Sequence, residues 1–163
     1  MQDQDASIAV ALDALRRAQF GLADVVRRAQ GSALGAFGLD PHEYPYRVVG
    51  SGSCWRLRDY GDAGYDNTPT LLIVAAPIKR PYIWDLAPSV SAIRYCLRQR
   101  WHTYLLEWKP ASRHTENCGL DGCVRAISEC VAMIAAKTAD AKPFLIGHSL
   151  GGTLAAIFGT FAP

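Results

Sequence analysis

The stretch that most constrains the fold is FLIGHSLGGTLAAIFG, residues 144–159. Its first apolar residues are typical of a short buried strand, and the small, apolar residues from 153 to 161 are typical of a helix packed on a sheet. Between them, G-H-S-L-G puts a glycine two residues before Ser149 and another two residues after it. Because glycine has no Cβ, a strand and a helix can meet there at a sharp turn that lifts the serine hydroxyl clear of the sheet. The stretch therefore predicts a nucleophile elbow, and a glycine-rich turn with an incidental serine is the alternative.

Strand and helix patterns also alternate before this stretch. The run LLIVAA at 71–76 stands between two prolines and predicts a central strand that is covered on both faces. In a helix predicted at 90–100, the residues expected to face inward are Val90, Ile93, Tyr95, Cys96 and Leu97. The full set of predicted elements is strands at 71–76, 102–108 and 144–146, and helices at 90–100, 120–138 and 153–161. Such alternation predicts an α/β protein with a mostly parallel sheet.

The N-terminal part of the sequence has a different character. Apolar residues recur at helical spacing over 6–30, and 31–45 is rich in glycine and proline. This pattern predicts an amphipathic helix, or a pair of helices broken around Gly21, followed by a loop. We therefore divide the chain into an N-terminal helical segment and loop at 1–45 and an α/β domain at 46–163, with two strands predicted between 46 and 60.

Composition argues against several classes of protein. The 163 residues carry 17 basic and 15 acidic side chains, and no basic stripe with interleaved aromatics suggests nucleic acid as a partner. No apolar run reaches the roughly 18–20 residues of a membrane span. The N-terminus lacks the basic and apolar regions of a signal peptide, which predicts a cytoplasmic protein. The cysteines are odd in number and lack zinc spacing, so we expect free thiols, no metal and no cofactor.

Three other segments carry a resemblance to a known family: AAPIKRPYIWDL at 75–86, YLLEW at 104–108 and GLD at 119–121. They resemble segments of the polyhydroxyalkanoate synthases, which have the α/β-hydrolase fold. Residues 75–86, AAPIKRPYIWDL, look like the segment that follows the third strand of those enzymes, and 104–108, YLLEW, resembles their Y-L-x-D-W strand. The run 119–121, GLD, resembles the start of the helix after it. The resemblance extends over roughly 68–163 and implies an α/β-hydrolase-type sheet with helices on both faces.

The elbow residue departs from that family. Polyhydroxyalkanoate synthases carry a cysteine in a G-x-C-x-G elbow, whereas this chain has Ser149. A thiolate forms a thioester that a chain-end hydroxyl can attack repeatedly, but a serine forms a less activated oxygen ester. The resemblance with this change implies a serine hydrolase or acyltransferase. Its implied substrate is a hydroxyacyl ester, a thioester such as a CoA thioester, or a polyester.

The other candidate site residues follow from the fold that the resemblance implies. Two backbone N–H groups would form an oxyanion hole, one from Leu150, which follows the serine, and one from Ile78 in the loop after the third strand. Lys79 and Arg80 would meet an anionic carrier or CoA, or else be solvated loop charges. Asp85 is a candidate for the substrate loop, with capping or orienting that loop as the alternative.

The acid and the histidine of a triad are missing after the serine. In this fold they follow the nucleophile, but residues 150–163 contain no Asp, Glu or His. We therefore expect this chain to be the N-terminal part of a longer hydrolase and to be inactive alone. His148 is expected to pack at the elbow and His102 to be an edge residue, which leaves His42 and His114 as loop candidates. The alternative is a non-catalytic half-domain or interaction module that self-associates through an open sheet edge.

Overall fold

The computed structural model describes residues 42–61, 68–110, 118–138 and 142–161. Its strands are β1 (Arg47–Ser51), β2 (Trp55–Asp59), β3 (Thr70–Val74), β4 (Asp85–Ala87), β5 (Val90–Ser91), β6 (His102–Trp108) and β7 (Phe144–Gly147). Its helices are a 3₁₀ turn (Pro81–Trp84), α1 (Ala92–Arg98), α2 (Leu120–Ala135) and α3 (Leu150–Phe161). The helix predicted at 6–30 lies outside the described residues, and the proposed domain boundary at 45/46 stays a prediction.

Five of the strands form one sheet in the order β1-β2-β6-β3-β7. Strand β3 runs parallel to both β6 and β7, while β1 and β2 run antiparallel to their neighbours. Val74, at the end of β3, pairs with Leu106 on one side and with Gly147 on the other. The carboxyl ends of β3, β6 and β7 therefore share one edge of the sheet, as in other α/β proteins. The predicted α/β class is confirmed, with a mixed sheet whose parallel strands carry the serine turn.

Helices cover both faces of this sheet. On one face, alternate residues of β3 and β6 pack against α2 and α3; the core residues there include Leu72, Val74, Tyr104, Leu106, Ile127, Ile134 and Leu154. On the other face, Leu71, Ile73 and Leu105 pack with Ile93 and Leu97 of α1. Every residue of β3 is buried, which confirms the central strand predicted from LLIVAA.

The segment between β3 and β6 differs from the prediction. Residues 85–91 contain the short antiparallel pair β4–β5, which the sequence did not predict, and α1 has only seven residues. The Oγ of Ser91 caps this helix by accepting the N–H of Arg94 at 2.9 Å. Ile93 and Leu97 stand four residues apart and share its buried face, but Tyr95 lies about 200° around the helix from Ile93. Tyr95 is 59% exposed and Val90, which lies in β5 instead of the helix, is 60% exposed, so the predicted inward positions of both are wrong.

A charged cluster lies on the β2–β6 pair. The guanidinium of Arg58 donates to Glu107 at 2.8 Å and to Glu43 at 2.7 Å, and Arg56 donates to the second oxygen of Glu107 at 3.1 Å. Arg58 and Glu107 are both buried. Burial acts to lower the pKa of Arg58, but hydrogen bonds to Glu107, Tyr60 and Glu43 outweigh it and raise that pKa. Arg58 and Glu107 thus form a buried salt bridge in which both carboxylate oxygens of Glu107 accept hydrogen bonds.

The structure corrects the prediction that all cysteines are free. Cys54 and Cys118 form a disulfide with Cα atoms 6.1 Å apart, whereas Cys96, Cys123 and Cys130 are free. Burial raises the pKa of the Cys130 thiol to about 12. The bridged residues are separated by 64 positions in the sequence. They can pair because the turn between β1 and β2 lies beside the start of α2. No local spacing in the sequence reports such a long-range contact.

Reduction of this disulfide is expected to lower the free energy of unfolding by about 2–4 kcal/mol, because the bridge closes a long loop in the unfolded chain. Urea unfolding with and without a phosphine reductant measures the change. Cys54→Ser is the control, since reductant should leave its unfolding midpoint unchanged. Five alkylatable thiols in the denatured, unreduced protein would contradict the pairing.

Candidate active site

Ser149 occupies a strained turn between β7 and α3. Its φ angle is 58°, in the left-handed region that residues with a Cβ rarely adopt. Its side chain is exposed, at the carboxyl edge of the parallel strands. An exposed hydroxyl held on a strained strand-to-helix turn is the arrangement that a nucleophile elbow requires.

The glycines around this serine allow three backbone segments to meet. A Cβ on Gly147 would lie 2.6 Å from the backbone of Gly151, and a Cβ on Gly152 would lie 3.0 Å from the carbonyl oxygen of Gly147. A Cβ on Gly151 would lie 2.2 Å from the carbonyl oxygen of Val74 in the neighbouring strand. The first turn of α3 therefore sits directly on the ends of β7 and β3, which is the close approach inferred from G-x-S-x-G.

The N-terminus of α3 offers a backbone donor beside the serine. The next N–H groups bond within the turn: Gly151 donates to the carbonyl oxygen of His148 at 3.2 Å, and Gly152 donates to that of Ser149 at 2.9 Å. Among the described residues, no backbone carbonyl accepts the N–H of Leu150. Leu150 is thus the residue whose N–H can meet an oxygen bound at Ser149.

The loop after β3 offers a second backbone donor at the same edge. The N–H of Lys79 donates to the carbonyl oxygen of Ala76 at 3.0 Å and closes a turn that has Pro77 and Ile78 at its centre. In such a turn the N–H of the third residue, here Ile78, is not used by the turn itself. No backbone acceptor for it lies in the described part of the chain. The side chains of Ile78, Lys79 and Arg80 are exposed.

Asp85 is buried, and both of its carboxylate oxygens accept hydrogen bonds. Its carboxylate accepts the Nε–H of Arg94 at 3.2 Å and the backbone N–H of Tyr44, and the residue is 1% exposed. Arg94 also donates to the carbonyl oxygen of His42 at 2.8 Å. These contacts tie the segment after the Ile78 turn to residues 42–44, as expected of a residue that orients the loop. A direct contact of Asp85 with substrate stays a prediction.

His102 lies far from the serine turn and has a partner of its own. The Nε2 of His102 lies 2.8 Å from a carboxylate oxygen of Asp59. His102 pairs with Thr70 at the start of β3, four residues before Val74, so about 13 Å of strand separates it from the serine edge. Burial acts to raise the pKa of Asp59, but hydrogen bonds from His102 and the Gly61 N–H outweigh it and lower that pKa. His102 is thus an edge residue with a partner, as predicted.

Neither of the other two described histidines is hydrogen-bonded to the Ser149 side chain, as a general base for this serine would be. His148 is exposed and precedes the serine. The backbone of His42 joins Leu86 and Arg94, beside Asp85. His114 lies outside the described residues. The structure therefore assigns no base for Ser149 among the residues that it describes.

Trp108 is a part of this edge to which sequence reasoning gave no role. The residue ends β6, and its Nε1–H donates to the carbonyl oxygen of Ala75 at 2.6 Å. Ala75 immediately precedes the turn that contains Ile78. The signal in the sequence is an aromatic residue at the end of a strand that neighbours β3, but a single sequence does not reveal which strands are neighbours.

A separate groove of about 720 Å³ runs between α2 and α3. Its walls are formed mainly by apolar side chains of the two helices, including Val124, Val131, Ile157, Phe158 and Phe161. None of the candidate site residues lines it, so it is distinct from the serine edge. No helix of the described segments is long and apolar enough to cross a membrane, and those segments contain no cluster of His, Cys, Asp and Glu that could hold a metal ion.

Together, the mixed sheet, the helices on both faces and the serine turn at its carboxyl edge define a hydrolase-like α/β fold. A solved structure, that of a predicted CIB-like hydrolase from Thermoplasma acidophilum, matches with a TM-score of 0.52 at 15% identity over 73% of this chain and 57% of that one. At this identity the likeness concerns the fold alone.

Sequence comparison leads to a particular group of proteins. A poly(3-hydroxyalkanoate) polymerase subunit PhaC from Haloferax mediterranei is 35% identical over 94 residues, or 57% of this chain and 19% of that protein. Poly(3-hydroxyalkanoate) polymerase 1 from Ectopseudomonas oleovorans is 32% identical over 93 residues, or 56% of this chain and 17% of that protein. No family model matches the chain. The chain has distant, partial homology to the poly(3-hydroxyalkanoate) polymerases and spans at most a fifth of the length of these two.

Proposed function

We propose that this chain carries the nucleophile half of a serine-dependent acyl-transfer site, with Ser149 forming an acyl-enzyme. The observation that carries the proposal is the left-handed turn at Ser149, packed through glycines onto the ends of β7 and β3 with its hydroxyl exposed. A strained backbone persists only where the surrounding structure holds it, and such positions cluster at active sites. The homology to acyl-polymerising enzymes supports the same chemistry.

In the first half-reaction, the Oγ of Ser149 attacks the carbonyl carbon of an ester or thioester while a base takes the hydroxyl proton. The N–H groups of Leu150 and Ile78 stabilise the oxyanion of the tetrahedral intermediate. Collapse of that intermediate breaks the bond to the leaving alcohol or thiol, which receives the proton. The acyl group remains as an oxygen ester on Ser149.

In the second half-reaction, water or one acceptor hydroxyl attacks this ester and regenerates Ser149. An oxygen ester is less activated than the thioester that a cysteine forms, so the serine favours hydrolysis or a single transfer over repeated chain growth. The proposed substrates are hydroxyacyl esters or thioesters, including CoA thioesters, and polyesters of the same acids. The exposed cations of Lys79 and Arg80 beside the Ile78 turn suit the phosphates of a CoA carrier.

The proposal requires a base and an acid that the described residues do not supply at Ser149. His102 is paired with Asp59 about 13 Å of strand away from the serine edge. We therefore expect turnover to depend on a base and an acid from outside the described residues. A hydroxyl at its ordinary pKa is too weak a nucleophile without a base.

The test is incubation of the longest protein that carries this sequence with a 3-hydroxyacyl-CoA, measuring released thiol and the mass of the protein. The expected result is thiol release with an acyl adduct on the Ser149 peptide. Ser149→Ala should abolish both, whereas Ser128→Ala, which removes another exposed serine in α2, should change neither. Equal thiol release by the wild type and Ser149→Ala would overturn the proposal.

A non-catalytic interaction module is the second candidate, and the edge strand favours it. Within the described residues, β7 pairs only with β3, and Phe144 and Ile146 on it are 62% and 43% exposed. An exposed apolar edge strand is a template for pairing with another chain. This reading predicts concentration-dependent oligomers that Ile146→Lys would disperse, together with no acyl adduct in any protein that carries the sequence.

A further inference from the structure

One peptide group connects Trp108, the serine helix and the loop that contains Ile78. The carbonyl oxygen of Ala75 accepts the Nε1–H of Trp108 at 2.6 Å. The first turn of α3 also lies against this group, since a Cβ on Gly151 would stand 3.0 Å from the same oxygen. The end of β3 is thus in close contact with both the indole of Trp108 and the first turn of α3.

The orientation of this peptide group fixes the start of the next turn. The carbonyl oxygen of Ala76 accepts the N–H of Lys79 at 3.0 Å, with Ile78 at the third position of that turn. A peptide unit is planar, so fixing the Ala75 carbonyl also fixes the Ala76 nitrogen. The contact with Trp108 therefore fixes the peptide plane from which the turn that contains Ile78 begins.

The surroundings of Trp108 make this contact well defined. The indole is half-buried and packs against the core cluster on the α2–α3 face. Its strand neighbour across the β2–β6 pair is Trp55, and the backbone N–H of Lys109 donates to the carbonyl oxygen of Cys54 at 2.8 Å. These contacts restrain the end of β6 from which the indole extends.

We infer that Trp108 is a positioning residue that sets the Ile78 turn for the site at Ser149. The inference rests on the proposed function, because the turn matters for catalysis only if the Ile78 N–H meets the oxyanion. Removing one such donor lowers the rate by about 10²–10³-fold. A misdirected but present donor should have a smaller effect, of about tenfold or more.

The variant that isolates the hydrogen bond is Trp108→Phe, which keeps an aromatic ring in the core and removes the donor. The matched control is Trp55→Phe. Trp55 lies in the same core cluster, but its Nε1–H donates to Glu129 at 3.0 Å and not to the end of β3. Both variants replace an indole by a smaller ring in the same core cluster, so an effect that comes only from altered packing should be similar in the two.

The first readout is native-state hydrogen exchange, which does not depend on catalysis. In the 163-residue protein, Trp108→Phe should accelerate exchange of the Lys79 amide about tenfold, as expected when a net hydrogen bond is lost nearby. Exchange of the Leu72 amide in β3 should be unchanged, and Trp55→Phe should leave the Lys79 amide as in the wild type. Equal acceleration at Lys79 in both variants would overturn the inference.

The second readout is the rate of covalent labelling of Ser149 by a fluorophosphonate in the longest protein that carries the sequence. Trp108→Phe should lower the maximal labelling rate about tenfold and leave the reversible binding constant of the probe unchanged. If Ser149 labels equally fast in Trp108→Phe and Trp55→Phe, the inference is wrong while the proposed function stands. If the wild type does not label, the proposed function is wrong, and so is the proposed role of Trp108 in positioning the site.

Discussion

Gly151→Ala is expected to lower the free energy of unfolding by at least about 3 kcal/mol, at the upper end of overpacking effects. The added Cβ would lie 2.2 Å from the carbonyl oxygen of Val74 and 2.9 Å from the carbonyl carbon of Ala75. Both atoms belong to the backbone of the central strand, so no side chain can rotate away to relieve the clash. The helix must instead shift off the strand, which also displaces Ser149. Urea unfolding followed by circular dichroism measures the loss.

Gly159→Ala in the same helix is the matched control. A Cβ there would meet nothing within 4 Å, so the substitution should stabilise the protein by up to about 1 kcal/mol through helix propensity. If the free energy of unfolding falls in Gly151→Ala and rises in Gly159→Ala, the loss is due to the close approach of α3 to β3 and not to replacing a helical glycine as such. If Gly151→Ala unfolded at the same urea concentration as the wild type, the tight junction of α3 with β3 would be wrong.

Glu107→Ala is expected to lower the free energy of unfolding by about 3–5 kcal/mol. The substitution removes the main partner of Arg58, a guanidinium that is 4% exposed and donates to Glu107 at 2.8 Å. The remaining ion pair with Glu43 is a weaker replacement, because the Glu43 side chain is 28% exposed whereas that of Glu107 is 9% exposed. A buried charge without its partner is costly, whatever the net value of the intact pair.

Arg56→Ala provides the comparison for Glu107. Its guanidinium donates to the same carboxylate at 3.1 Å, but its side chain is 41% exposed. Solvent-exposed pairs contribute about 0–1 kcal/mol, so this variant should unfold close to the wild type. Equal losses for Glu107→Ala and Arg56→Ala would show that burial of Arg58 does not determine the energetics of the cluster.

The elements that could be predicted from the sequence are those set by local pattern. The run LLIVAA is apolar at every position, so only a strand with both faces covered suits it, and β3 is buried throughout. The glycines around Ser149 likewise predict the strand–turn–helix junction, because only residues without a Cβ permit that approach. These two segments are enough to define the α/β class and the edge of the sheet at which the candidate site lies.

The features that could not be predicted depend on which distant segments meet. The sequence shows Asp85 only as a polar residue in a predicted loop. Its partners in the structure come from distant positions: the backbone of Tyr44, which precedes it in the sequence, and the side chain of Arg94, which follows it. The Cys54–Cys118 bridge and the Trp108–Ala75 hydrogen bond also join residues whose neighbourhood only the sheet order creates. In the α1 segment, β5 occupies the first two residues of the predicted helix, and Tyr95 is exposed because it lies about 200° around α1 from the buried Ile93.

Covalent labelling of the protein with a serine-directed probe tests whether Ser149 is a nucleophile. A fluorophosphonate is added to the longest protein that carries this sequence, beside Ser149→Ala and the exposed-serine control Ser128→Ala, and the labelled peptide is sequenced. We expect one adduct, on Ser149, that is absent in Ser149→Ala and retained in Ser128→Ala. An unlabelled wild type, or a Ser149→Ala variant that labels as strongly as the wild type, would contradict it.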